Sequence, residues 1–330
     1  MFIHWLIPGN YKSVEDLSKS HMASIRMRAG LVGNFAHDIQ IKFSAGEHVN
    51  KNANVIVVGK IGREYRNGLY NLWIRQLSEA KKQSKKIILD YTDHHLESIN
   101  SPMGAFYKNI LPLIDESVVS STRISKLLEV FISKKITVIE DPIEIQITQP
   151  KKSIPTGELT LLWFGHETNI PYLLSYLHNE FLCDVNFRLI VLSNDPGLEM
   201  LASHQNLLRS TIRLDLANWS LQNMINASKA SQCCLIPSDL NDSRKSGASS
   251  NRLITAFALG LPVSADVLES YAPYSDYFHH IRETPLSVFI KNFTFYEKKI
   301  ELAQQIIVPS FNQRILAQKW KSFFVLAMQH

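Results

Sequence analysis

Residues 242–263 read DSRKSGASSNRLITAFALGLPV. A run of serine, glycine and other small residues leads straight into a helix that begins near Ser249 or Ser250. Gly260 ends that helix as a C′ residue, Pro262 then sets the backbone, and Val263 opens a strand. The first turn of such a helix has unpaired N–H groups and about half a unit of positive charge, which suits a phosphate. Lys245 and Arg252 flank the turn with full positive charges, and Ser249, Ser250 and Asn251 add hydroxyl and amide donors. A capped helix with incidental surface charge would explain the serines and the glycine but not Lys245 and Arg252 together. The stretch reads as helix, turn and strand of a parallel α/β layer, with its first turn as a candidate anion site.

The same rhythm runs outward in both directions. Short apolar runs alternate with longer amphipathic stretches, the pattern of parallel strands covered on both faces. Upstream, LTLLWFG (159–165), FRLIVLS (187–193) and CCLIPS (233–238) read as strands. In the first half, strands are expected over FIHWLIP (2–8), VIVVG (55–59), KIILDY (86–91), ESVVSS (116–121) and residues 138–140. Helices are expected over 24–36 with Ser24 as N-cap, over 69–82 and over 122–132. The proline-rich segment 141–158 is the best linker, and residues 309–330 form an amphipathic helix with Trp320, Phe323 and Phe324 on an apolar face. The expected fold is α/β, with two Rossmann-like doubly wound domains facing a central cleft. Residues 1–145 form the first, 146–308 the second, and 309–330 a terminal helix packing back on the first.

Length and composition agree. At 330 residues, with 45% hydrophobic and 20% charged side chains, each half can bury its own core. No run approaches the roughly 18 apolar residues of a membrane span, and the opening MFIHWLIPGNYKS lacks a basic leader. Cys233 and Cys234 are adjacent in an apolar run and should face opposite sides of a strand. With Cys183 they read as buried free thiols, so a cytoplasmic protein is expected. The net charge is +5, with Arg63, Arg66, Arg75, Lys81, Lys82, Lys85 and Lys86 grouped in the first half. That group is either a solvated helix end or a face for anionic lipid or a phosphorylated acceptor. Acidic residues nearly balance basic ones and aromatics do not interleave with a basic stripe, which argues against nucleic acid as a partner. The GxGxxG turn of a nicotinamide-binding oxidoreductase does not occur.

Residues 256–263, AFALGLPV, resemble the donor-site helix and Gly-x-Pro-Val turn of GT-B fold glycosyltransferases, as do the two-lobe layout and the terminal helix. The resemblance covers the whole chain as architecture and about twenty residues as motif. It implies a nucleotide-activated sugar held by the second lobe. The glycosyltransferase group 1 families carry two glutamates eight positions apart here, where this chain has Gly247 and Thr255. The string KSGASSNR (245–252) instead resembles a set of bacterial enzymes in which Lys245 and Arg252 would take the phosphate, with Ser249, Ser250 and Asn251 close to it. Gly165 and His166, after the strand ending Trp163-Phe164, resemble the point where the donor-lobe backbone passes the diphosphate. Read without the family, Trp163 and Phe164 are core and Gly165 is a turn. In the first lobe, Ser24-Ile25-Arg26-Met27-Arg28 resembles the serine-x-arginine opening of the first helix, and Arg26 is the cleft-facing choice. Gly9 and Asn10, after the first strand, would approach acceptor or donor.

The remaining candidates come from strand ends. An inverting transfer needs a base for the acceptor hydroxyl, and Asp93 and His94, just past KIILDY, are the catalytic candidates, with His95 and Glu97 nearby. The alternative makes Asp93 a helix N-cap, the histidines surface residues and Asp90 a buried hydrogen-bond acceptor. Lys60, after VIVVG, either reaches the cleft or snorkels. The two histidines have no third ligand at a diagnostic spacing, so no metal is expected and no cofactor beyond the nucleotide-sugar donor. The sequence thus points to sugar transfer onto a glycan or lipid-linked acceptor in bacterial surface polysaccharide synthesis. The setting is cytoplasmic, with peripheral contact to the anionic inner membrane face left open. The alternative is a catalytically inactive nucleotide-sugar binding or regulatory subunit of the same fold.

Overall fold

The computed structural model describes residues 1–62, 68–98, 101–151, 158–242 and 249–329. The chain separates into two compact units: Met1–Pro142 together with Ser249 and the chain from Asn312 onward, and the rest of the chain between Ile143 and Phe311. Each holds a six-stranded sheet whose strand pairs are all parallel.

In the first unit the strands are β1 (Phe2–Leu6), β2 (Lys42–Gly46), β3 (Val55–Val58), β4 (Lys86–Tyr91), β5 (Glu116–Val119) and β6 (Ile136–Val138). Their order is β2-β1-β3-β4-β5-β6, so the winding direction reverses between β1 and β3. In the second unit they are β7 (Thr160–Phe164), β8 (Phe187–Ser193), β9 (Ile212–Asn218), β10 (Cys233–Ile236), β11 (Val263–Ala265) and β12 (His279–His280). Read from β9, the order β9-β8-β7-β10-β11-β12 is that of a dinucleotide-binding domain, with its reversal between β7 and β10. In such sheets, ligands bind beyond the carboxyl ends of the strands at the reversal.

Strand alternation divides each sheet between two cores. Leu161, Trp163, Cys233 and Leu235 face one side of the second sheet, while Leu162, Phe164, Cys234 and Ile236 face the other. The two adjacent cysteines therefore point in opposite directions, both buried and free. In the first sheet, Ile3, Trp5, Val55, Val57 and Ile88 share one face with Leu316, Trp320, Phe323, Phe324 and Ala327 of the terminal helix (Gln313–Ala327). Trp320 meets Trp5 edge-on at 5.0 Å and stacks on Phe324 at 5.4 Å.

Several local expectations change. Residues 24–36 are not one α-helix: Ile25–Gly30 is a π-helix, followed by a single α-turn over Leu31–Asn34. Ser24 is itself helical and makes no side-chain cap. Asp93 caps no helix, because the next helix begins at Pro102 and is capped by Ser101. β2, β9 and β12 had no strong apolar run to announce them. Each lies at or near a sheet edge, where residues such as Arg213 and Asp215 tolerate half-exposure. The lysine run is engaged locally. Lys81 pairs with Asp115, Lys85 donates to the Ala53 carbonyl at 2.7 Å, and Lys86 lies 3.5 Å from Glu116. Arg63 and Arg66 lie outside the described residues. Among the described residues no helix is long and apolar enough to cross a membrane.

Candidate anion-binding site

The helix Asn251–Ala258 follows β10 and starts from Ser250, whose side chain makes no cap hydrogen bond. Its far end closes as the glycine predicts. Gly260 has φ +69°, its N–H donates to the Phe257 carbonyl, and Leu261 N–H donates to that of Ala256, a Schellman closure. With both ends set, Arg252 projects from the first turn toward the carboxyl end of β7. Its guanidinium lies 5.1 Å from the Trp163 ring and 5.8 Å from that of Phe164.

Gly165 sits directly beside it. A Cβ on Gly165 would stand 3.0 Å from the Trp163 ring, a tight contact, and 3.5 Å from the Arg252 guanidinium carbon, an ordinary one, so the glycine lets Trp163 pack closely here. The residue Arg252 is partly exposed, yet its Nε and Nη2 atoms are buried and have no hydrogen-bond partner among the described residues. Burial pushes the guanidinium below its ordinary pKa, and among the described residues no carboxylate pairs with it. Buried donors without partners are costly, so these two atoms carry an energetic penalty as far as the described residues go.

Neighbouring loops are fixed from beneath. Asp266, at the end of β11 and fully buried, accepts from Ser238 N–H at 2.7 Å and from Arg282 Nε at 2.8 Å. Arg282 also donates to the Ser238 carbonyl at 3.0 Å, clamping the loop after β10. On the other flank, Ser193 Oγ donates to the Gly165 carbonyl at 2.8 Å, and Asn194 Oδ1 accepts from Glu167 N–H at 3.0 Å. His166 is exposed, with Nε2 2.8 Å from Glu167. Ser250 is buried and Ser249 and Asn251 half-buried at the helix start, whereas Lys245 falls outside the described residues. Thr255, at the second glutamate position of the group 1 enzymes, is buried.

In the first unit the candidates also gather at strand ends. Gly9, after β1, has φ +99° and donates to Glu47 at 3.2 Å, and Asn10 is exposed. Lys60, after β3, pairs with Asp93, after β4, and both side chains are about one-third exposed (29% and 37%). His94 is a core residue: Nε2 is buried 3.6 Å from Glu97, the ring lies against Phe131 and Tyr91, and burial lowers its pKa. Of the two catalytic candidates, only Asp93 presents atoms to solvent. Arg26 is buried and donates to the Ser20 carbonyl at 2.7 Å. Arg28, its neighbour two positions on, penetrates further. It bonds Asp90 at 2.7 Å, the Ile139 carbonyl at 2.7 Å and Asp141 at 3.2 Å, with Trp320 5.0 Å from its guanidinium. Asp90 is thus the buried strand-end acceptor that the second reading anticipated.

Neither a protein-family model nor a curated protein sequence matches the chain. Solved structures do. An α-glucosyltransferase in complex with UDP and a DNA 13-mer aligns over 99% of this chain and 99% of its own, at TM-score 0.66 and 11% identity. Sucrose-phosphate synthase from Thermosynechococcus elongatus aligns over the whole of both chains, at TM-score 0.63 and 13% identity. The GtfA/B complex aligns over 84% of this chain at TM-score 0.54 and 12% identity, and this chain spans only 57% of that one. The fold is GT-B. Within the GT-B fold, the reversal between β7 and β10 brings Gly165, His166, the Ser238 loop and Arg252 to the same strand ends. The Asp266–Arg282 clamp escaped the sequence reading. Its only sequence signal was an acidic residue directly after the buried run PVSA.

Proposed function

We propose that the chain is a glycosyltransferase that binds a nucleotide-activated sugar at the carboxyl edge of its second sheet. The observation that carries this reading is Arg252, a guanidinium beside Gly165 with two buried donors that have no partner among the described residues. The acceptor hydroxyl would attack the anomeric carbon as the bond from that carbon to the phosphate oxygen breaks. The acceptor's proton would pass to Asp93, and the electron pair would leave on the nucleotide phosphate. Arg252, with Lys245, would neutralise the leaving phosphate, so no metal ion is required in this scheme. His166 and the Ser238 loop would flank the donor, and the acceptor would be a glycan or a lipid-linked sugar of surface polysaccharide synthesis.

One observation favours a second reading. Buried Thr255 replaces a carboxylate that group 1 enzymes use on the donor, which suits a subunit that binds the nucleotide-sugar without turning it over. A single experiment covers both. UDP-, GDP-, dTDP- and CMP-sugars are screened for thermal stabilisation and for nucleotide release in EDTA, with a glycan acceptor mixture. Ligand at about 100 times its Kd stabilises the native state by about 2.7 kcal/mol. Stabilisation with release supports the transferase, and stabilisation without release supports the binding subunit. If no nucleotide raises the melting temperature, the anion-site reading fails.

A further inference from the structure

The terminal helix buries one face in the first unit and leaves another open beside β6, the edge strand of that sheet. Between them runs a groove of about 820 Å³. Val138, Ile139, Ile315, Phe323 and Leu326 give it a predominantly apolar surface. Ile315 and Leu326 are each 46% exposed, and Val325, next to Leu326 but outside the groove lining, is exposed as well. Three cations, Lys135, Arg314 and Lys319, stand among the lining residues, and no acid does. Lys319 reaches out to Glu140 at 2.9 Å and Lys135 lies 3.9 Å from Glu116, while Arg314 has no carboxylate partner among the described residues. From Ile307 to the last residue the chain contains no acidic residue.

We propose that this groove docks on an anionic phospholipid surface, with Ile315, Leu326 and Val325 in the acyl boundary and Arg314, Lys319 and Lys135 at headgroup level. An exposed apolar strip rimmed by cations of one sign is the arrangement of an interfacial helix, and long basic side chains keep their heads in the polar layer while their stems cover apolar surface. Two other occupants fit less well. A second copy would bring the same cations face to face. An extended acidic segment would satisfy the rim but leave its polar backbone against an apolar floor. The inference is independent of the donor site, since every residue it uses belongs to the first unit.

The test is vesicle flotation of the full chain, using phosphatidylcholine alone and phosphatidylcholine with about 30% phosphatidylglycerol, where each nearby Lys or Arg is worth about fivefold in partitioning. The parent should float only with the anionic vesicles, and added salt should reverse it. Arg314→Gln with Lys319→Gln should lower partitioning about thirtyfold. These side chains are on the surface, so the melting temperature should stay close to the parent's. Ser322→Cys, labelled with an environment-sensitive dye, should shift to the blue on anionic vesicles and not on neutral ones. Equal flotation with both vesicle types, parent-like partitioning of the double variant, or bound protein with an unshifted dye would each overturn the proposal.

Discussion

Replacing Arg252 with methionine separates the guanidinium's role from that of its packing. Arg252→Met would keep an apolar, polarizable side chain against Trp163 and Phe164 while removing the charge. Nε and Nη2 are buried without partners among the described residues, and each such donor costs about 1–3 kcal/mol in the ligand-free protein. Against this, the cation–π contact with Trp163 is worth about 0.5–2 kcal/mol. Two such donors at the low end of that range, about 2–3 kcal/mol together, less about 1 kcal/mol for the cation–π contact leave the ligand-free variant more stable than the parent by about 1–2 kcal/mol, read as a melting temperature a few degrees higher. Nucleotide binding should move the other way. Losing two charge-assisted bonds to phosphate at about 1.5 kcal/mol each removes about 3 kcal/mol, or roughly 150-fold in Kd. Scanning calorimetry without nucleotide and titration calorimetry with the stabilising nucleotide give the two numbers. A variant that melts well below the parent would show that Arg252 is a structural strut with compensated donors. Unchanged nucleotide affinity would remove it from the phosphate site. Either result refutes the reasoning.

Two other predictions concern stability. His4 and His279 are buried, and burial lowers each pKa from 6.5 to about 4. The folded protein therefore holds both rings neutral, so stability is full above about pH 6.5 and falls as the unfolded chain takes up protons between about pH 6.5 and 4. At about pH 5 each histidine should cost about 2 kcal/mol. Urea unfolding at about pH 7.5 and 5 should show the loss, and His279→Gln should abolish the share belonging to the second unit. Gly260→Ala places a Cβ 2.4 Å from the Gln149 carbonyl oxygen on a backbone at φ +69°. It should destabilise the second unit by at least about 2 kcal/mol, and a parent-like unfolding midpoint would contradict the packing described at the helix end.

What could be read from residues alone were features whose cause is local. KIILDY and FRLIVLS are strands over the residues expected, because burial on both faces leaves unbroken apolar runs, and the helix at Leu69–Lys82 has its expected bounds, because its apolar residues recur at helical spacing. Gly260 announced its turn because only glycine adopts that φ without strain. The start of the helix at Asn251 was legible because small residues give way there to an apolar run.

Features that depend on long-range pairing were out of reach. Arg26 and Arg28 look equivalent in sequence, and α-helical spacing would put them on different faces. The π-helix buries both, and which of them reaches Asp90 depends on a residue 62 positions away. His94 reads as a strand-end base until the packing of Phe131 and Tyr91 encloses it. Asp266 and Arg282 become a clamp only when β11 lies beside β10 and brings Ser238 within hydrogen-bonding distance. Local sequence therefore determined the elements and one charged turn. Strand order, which is decided by which apolar faces can be buried together, selected the side chains that stand at the sheet's reversal and those that the core takes out of solvent.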